Sequence, residues 1–463
     1  MSRLACLPLA LLILLGGAIA QSDNRIDLQR PDAPELAAFG PHAVGVRTLD
    51  VVDPGRIDIL AATAAETPRY DRPLTLEVWY PAALPEGVAV GGSYEVVTRD
   101  GTPALLTGRA VRDAEPAVDA GPYPLVVLSH GYPGNRFLLA HFGENLASKG
   151  YVVASIDHTD STYSDQAAFA STLYHRPLDQ LFVVDEMDRR SAAGDGFLSG
   201  LVDASRSGII GYSMGGYGLV NVIGAGFTEA STQLRFAPPN GLLAGRQAGT
   251  EAYEATFDPR IRAAVAIAPW GMPAGFWDAE GLAGIETPVL FMAGSEDDVS
   301  GYEEGTRAIF EGAIHAERYL LTFENARHNA AAPIPAPRET WAAGTFAHYA
   351  DAVWDTTRMN NVAQHFVTAF LGLHLRGDEA MAPYLDLVED ALAGVWAVDD
   401  AGEPTNDHTY WRGFQERTAL GLRFERGVPA AGPRAAAGGG FPRRGKMARH
   451  AAMGIWWDAV GGP

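Results

Sequence analysis

Residues 207–225 read SGIIGYSMGGYGLVNVIGA, and the fold is decided here. A short apolar run, SGII, enters Gly211-Tyr212-Ser213-Met214-Gly215, a G-x-S-x-G sequence. Small residues at helical spacing follow over 214–225. Five residues of that form recur by chance in many chains, but a strand before them and a helix after them give them meaning. The flanking glycines permit a sharp strand-to-helix turn. That turn lifts the serine hydroxyl above the sheet edge at a helix N-terminus, where the dipole favours negative charge. Ser213 is therefore the candidate nucleophile.

The same rhythm repeats on either side of this stretch. Residues 124–129 (PLVVLS) and 151–156 (YVVASI) are wholly apolar runs, as expected of strands buried on both faces of a parallel sheet. Strands are also expected over 207–211, 262–268, 288–293 and 319–323. Helices are expected over 137–149, 178–190, 214–225, 306–314 and 361–375. Alternating text near 44–49 and 74–81 adds two earlier strands, with 56–73 as a loop or hairpin connection. The class is α/β: a mostly parallel sheet with helices on both faces. Residues 228–257 and 333–354, the latter with Pro333, Pro335 and Pro337, interrupt the alternation as cap or insertion segments.

A serine needs a base to take its proton, and the base needs an orienting acid. In this architecture both follow the nucleophile, each in a loop beyond a strand end. Gly294-Ser-Glu-Asp297-Asp298 follows one strand, and Glu324-Asn-Ala-Arg-His328 follows the next. The order Ser213, Asp297, His328 results, with Asp298 as the rival acid. Of twelve histidines, His328 alone stands in the loop directly after the last core strand. His315 and His374 read as helix residues, His348 and His365 fall in or beyond the cap, and His408 comes late. The oxyanion hole needs two backbone N–H groups: Met214, after the nucleophile, and Tyr132, in the loop Ser129-His130-Gly131-Tyr132-Pro133-Gly134. His130 then reads as a brace for that loop. Asp157-His158-Thr159-Asp160 could suggest a metal site, but no partner ligands stand at recognisable spacing, so a structural or cleft-rim role is expected.

Composition sets the wider frame. The 463 residues are 47 % hydrophobic, ample for a core, and carry a formal charge of -21, which speaks against binding nucleic acid. Residues 1–20 read as a signal peptide: Arg3, an apolar run over 4–15, then Ala18-Ile19-Ala20. The single cysteine, Cys6, lies inside it, so the processed chain would have neither disulfide nor thiolate nucleophile. The expected organisation is one domain over 21–426, then an Ala/Gly/Pro-rich tail over 427–463 expected to be disordered. The processed protein is expected in the periplasm or outside the cell, without a transmembrane segment.

The runs PLVVLSHGYPGNRFLLAHFGENLASKGYVVASIDHTDS, GYSMGGYG, AIAPWGMP, GSEDD and ARHN together resemble secreted platelet-activating factor acetylhydrolases and the bacterial proteins grouped as predicted dienelactone hydrolases. The likeness runs from about residue 40 to about 426, with WRGFQERTALGL near its end. It implies an α/β-hydrolase fold, calcium-independent ester hydrolysis and no cofactor, with Ser213, Asp297 and His328 as triad and Tyr132 and Met214 as oxyanion donors. True dienelactone hydrolase chemistry uses a cysteine, which the processed chain lacks. The same motifs are similar to bacterial cutinases and polyester hydrolases. By that comparison Trp270 lines the acyl side of the cleft; the other reading is a packed aromatic at a strand end. The expected substrate is a small or lipid-like ester, and polyesters come second. A hydrolase-fold binding protein without turnover and an amidase or peptidase are the rivals.

Overall fold

A computed structural model describes residues 24–430 except 195, 255 and 343. The expected signal peptide and nearly all of the expected tail lie outside the described residues. β1 (Ala43–Ile57) and β2 (Arg69–Ala82) form a long antiparallel hairpin, so residues 58–68 are its connection. β3 (Gly92–Val97) and β4 (Pro103–Gly108) pair as a separate small sheet, and β5 (Val111–Arg112) joins β1. The alternation follows: β6 (Tyr123–Ser129), α1 (Ala140–Ser148), β7 (Val152–Asp157), α2 (Phe169–Ala192), β8 (Val202–Tyr212), α3 (Met214–Val222), β9 (Ile261–Ile267), β10 (Val289–Gly294) and β11 (Arg318–Phe323). A C-terminal helix (Thr356–Arg376) and β12 (Leu422–Gly427) complete it.

The main sheet has the order β12-β11-β10-β9-β8-β6-β7-β2-β1-β5. The run from β11 to β7 is parallel, while β12/β11, β7/β2 and β2/β1 are antiparallel. Strand residues alternate between faces, and here both faces are covered. Val126, Leu128, Ile210, Val265, Ile267 and Met292 pack with α1 and the C-terminal helix. Their neighbours Leu125, Val127, Ile209, Ala264, Ala266 and Phe291 pack with α2 and α3. That is why these strands read as unbroken apolar runs. Each valine, leucine, isoleucine, methionine or phenylalanine among them contributes about 1.5–3 kcal/mol through burial.

Four features depart from the sequence reading. The β3–β4 hairpin and β12 lack a long apolar run, because β3 and β4 bury only alternate residues and β12 lies at the edge. His315 sits in a turn after a short helix rather than on it. α2 begins at Phe169, nine residues before the expected 178, and runs through Pro177. Proline has no N–H to give the carbonyl four residues back, that of Leu173. The Tyr217 hydroxyl on α3 supplies the missing donor at 3.1 Å. Among the described residues no helix is long and apolar enough to cross a membrane.

The chain leaves β6 for β7 on one side and returns to β8 on the other. The C-terminal ends of β6 and β8 therefore flank the crevice at a topological switch point, where sheets of this kind bind ligands. Ser129 pairs with Gly211 across it.

Candidate active site

Ser213 stands between β8 and α3 with φ +53° and ψ −112°, an unusual backbone for a residue with a side chain. Its N–H donates to the Ile267 carbonyl at 2.9 Å. Its carbonyl accepts from Tyr217 N at 2.9 Å and Trp270 N at 3.1 Å. Three backbone bonds thus hold the strained turn. The motif glycines are there because of close approach: a Cβ on Gly211 would overlap the Gly215 carbonyl, and one on Gly215 would overlap that of Ser129.

The hydroxyl of Ser213 lies 3.0 Å from His328 Nε2. His328 Nδ1 lies 3.0 and 3.1 Å from the two Asp297 oxygens. A carboxylate only accepts, so Nδ1 carries the proton and Nε2 is left to accept from Ser213. Asp297 Oδ1 also accepts from Val299 N and Ser300 N, both at 2.9 Å. Burial pushes the Asp297 carboxyl up. The His328 ring and these amides outweigh it, and the group ends below its ordinary value. Asp298 turns away to an exposed pair with Arg327 at 3.0 Å. The loops after β10 and β11 thus bring Asp297, and not Asp298, to His328.

The loop after β6 lies against Ser213: a Cβ on Gly131 would stand 3.4 Å from Ser213 Cβ. Tyr132 is the next residue, and Met214 opens α3 on the other side. His130 is buried and its Nδ1 bonds the Gly131 carbonyl at 2.7 Å, as a brace would. The Asp157–Asp160 cluster is taken up by protein partners. Asp157 accepts from Arg136 N at 2.6 Å, Asp160 pairs with Arg72 at 3.2 Å, and His158 bridges Ser129 Oγ at 2.8 Å to Asp179 at 3.0 Å. Among the described residues no three histidine, cysteine or acidic groups are placed to hold a metal ion.

Beside Ser213 runs an aromatic wall. Trp270 packs edge-on against Phe169, with ring centres 5.5 Å apart, and Phe169 meets Tyr132 at 5.4 Å and Phe236 at 5.6 Å. All four rings are partly exposed. Trp270 also touches Tyr217 and Phe276 beneath, so it is both packed and at the surface of the wall. Phe169 and Phe236 were invisible in the sequence: one lies before the proline of α2, the other in the 228–257 insertion.

A PET hydrolase-like family model matches residues 113–239, the part with the 129–134 loop and Ser213. Cutinase est1 of Thermobifida alba is 22% identical over 207 residues, 44% of this chain and 53% of its own. The bis(hydroxyethyl) terephthalate hydrolase of Streptomyces coelicolor is 22% identical over 209 residues, 45% of this chain and 51% of its own. The chain is an α/β-hydrolase related to cutinases and polyester hydrolases. It spans about half the length of these curated relatives. A solved structure of a ferulic acid esterase from Streptomyces cinnamoneus aligns with this α/β-hydrolase at a TM-score of 0.49 and 24% identity, covering 74% of this chain and 94% of its own.

Proposed function

We propose that the protein is an exported serine esterase, its catalytic domain spanning 21–426, that cleaves carboxylic esters through an acyl-enzyme. The observation that carries this reading is the continuous contact from Ser213 Oγ through the His328 ring to Asp297. His328 takes the Ser213 proton as the oxygen attacks the ester carbonyl, then gives it to the leaving alcohol. Asp297 keeps the imidazole in the tautomer that can accept and steadies its cation. The N–H groups of Met214 and Tyr132 stabilise the oxyanion, which exists only in the tetrahedral states. Water then attacks the acyl-enzyme with His328 as base. No step calls for a metal or cofactor.

Within the esters, the aromatic wall supports substrates with an apolar or aromatic group beside the scissile bond. The relatives' names support polymeric or terephthalate esters as a second reading. The experiment is turnover of a p-nitrophenyl ester series beside the matching anilide, with a fluorophosphonate label. Ester cleavage with one label at Ser213 supports the reading. No turnover and no label would make the protein a binding module, and preferred anilide cleavage would make it an amidase.

A further inference from the structure

Arg176 is fully buried on α2, one residue before Pro177. Its guanidinium makes no ion pair among the described residues. The nearest acid on its helix, Asp179, is held instead by Arg72, at 2.9 and 3.0 Å, and by His158 at 3.0 Å. What Arg176 holds is backbone: Nη1 donates to the His130 carbonyl, and Nη2 to the Gly131 carbonyl at 3.4 Å and to Ser161 Oγ. A buried charge of this kind is costly to keep. Here it is aimed at two successive carbonyls of the loop that lies against Ser213.

The direction of those carbonyls sets the direction of the amides. In a trans peptide the C=O and N–H point opposite ways. With the His130 and Gly131 carbonyls turned to Arg176, the Gly131 and Tyr132 N–H groups face away from α2. Gly131 itself abuts Ser213 Cβ. The Gly131 carbonyl has a second donor in His130 Nδ1 at 2.7 Å, so this peptide is fixed from two directions. Burial, with Arg176 beside it, holds His130 well below its ordinary pKa, and a neutral ring makes only that one donation.

We propose that Arg176 is a positioning residue for the oxyanion hole, fixing the His130–Gly131–Tyr132 backbone so that the Tyr132 N–H meets the oxygen of a tetrahedral adduct on Ser213. This rests on the reading of Ser213 as nucleophile and Tyr132 as donor. It adds a residue that no part of the G-x-S-x-G or S-H-G motifs contains.

The test is Arg176→Lys and Arg176→Ala, measured by ester kinetics, fluorophosphonate titration and thermal melting. A lysine keeps the charge but loses the planar fork whose two nitrogens each reach one carbonyl. Losing one oxyanion donor costs about 10²–10³-fold in kcat. Both variants should therefore lose on the order of 10²-fold in kcat per titrated site with KM changed little, because the donor acts on the transition state. Ethylguanidinium should restore part of the Arg176→Ala rate, and ethylammonium less. Wild-type kcat in folded Arg176→Lys would overturn the proposal. So would a loss that only tracks the number of titrated sites, or failure of both variants to fold, which would make Arg176 a stability residue. A wild type with no turnover and no label is a separate result: it fails the esterase reading itself.

Discussion

Gly215 packs backbone to backbone on Ser129: a Cβ at 215 would overlap the Ser129 carbonyl oxygen. The first turn of α3 thus rests on the end of β6. The Ser213 turn and the 129–134 loop share one contact with no side chain between them.

Gly215→Ala forces that contact apart. Backbone on both sides cannot rotate away as a side chain would, so the cost should reach or exceed the overpacking range of about 1–3 kcal/mol. Chemical denaturation should show the loss, and kcat should fall with it because the Ser129–Tyr132 loop moves. Unchanged stability and turnover would mean the two elements are less tightly coupled than the geometry requires.

Ser213→Ala removes one oxygen and leaves the turn intact. Ester turnover should fall by about 10³-fold or more with the melting temperature nearly unchanged. His328→Ala should cost a comparable factor, and the double variant little more, since the residues act as a unit. Wild-type turnover in purified Ser213→Ala ends the mechanism.

The acid is separable from its neighbour. Asp297→Asn keeps the shape but loses the charge that favours the accepting tautomer, so kcat should drop by orders of magnitude, approaching about 10⁴. Asp298→Asn breaks only an exposed pair with Arg327 and should stay near wild type. The reverse pattern would assign the role to Asp298.

Acid should unfold the protein through its buried histidines. Burial pushes His141, His158 and His365 down to about 3 from the ordinary 6.5. Between those values the unfolded chain binds more protons than the folded one, so stability is complete above about 6.5 and is lost as the pH falls. Each histidine contributes up to about 1.4 kcal/mol per pH unit in that window. Glu144 and Asp157, raised by burial, oppose this at its acid end. Urea midpoints should therefore fall clearly from pH 7 to pH 5. Equal midpoints would contradict neutral buried rings.

The wall should set selectivity rather than chemistry. Phe169→Ala and Trp270→Ala should raise KM for aryl esters while leaving kcat for short acetates within a few-fold. A uniform loss across all esters would instead point to collapse of the Ser213 turn, whose carbonyl the Trp270 N–H holds.

Local rules carried the central architecture. Strands buried on both faces must be apolar throughout, so β6 to β11 stood out, and a sharp strand-to-helix turn must have glycine where backbones touch, so Gly211-x-Ser213-x-Gly215 marked itself. Strand-end loops in fixed chain order pointed to Asp297 and His328. Elements whose burial comes from distant partners did not show. β12 pairs with β11 across almost a hundred residues, and α2 continues through Pro177 because Tyr217, forty residues later, satisfies the carbonyl that proline leaves open. Those extra turns hold Phe169 in the aromatic wall and Arg176 behind the 129–134 loop. Periodicity and turn chemistry act within a few residues and can be read along the chain. The choice of Asp297 over Asp298, and the aim of Arg176 at two carbonyls, depend on groups distant in the chain meeting at the strand ends, which only packing in three dimensions fixes.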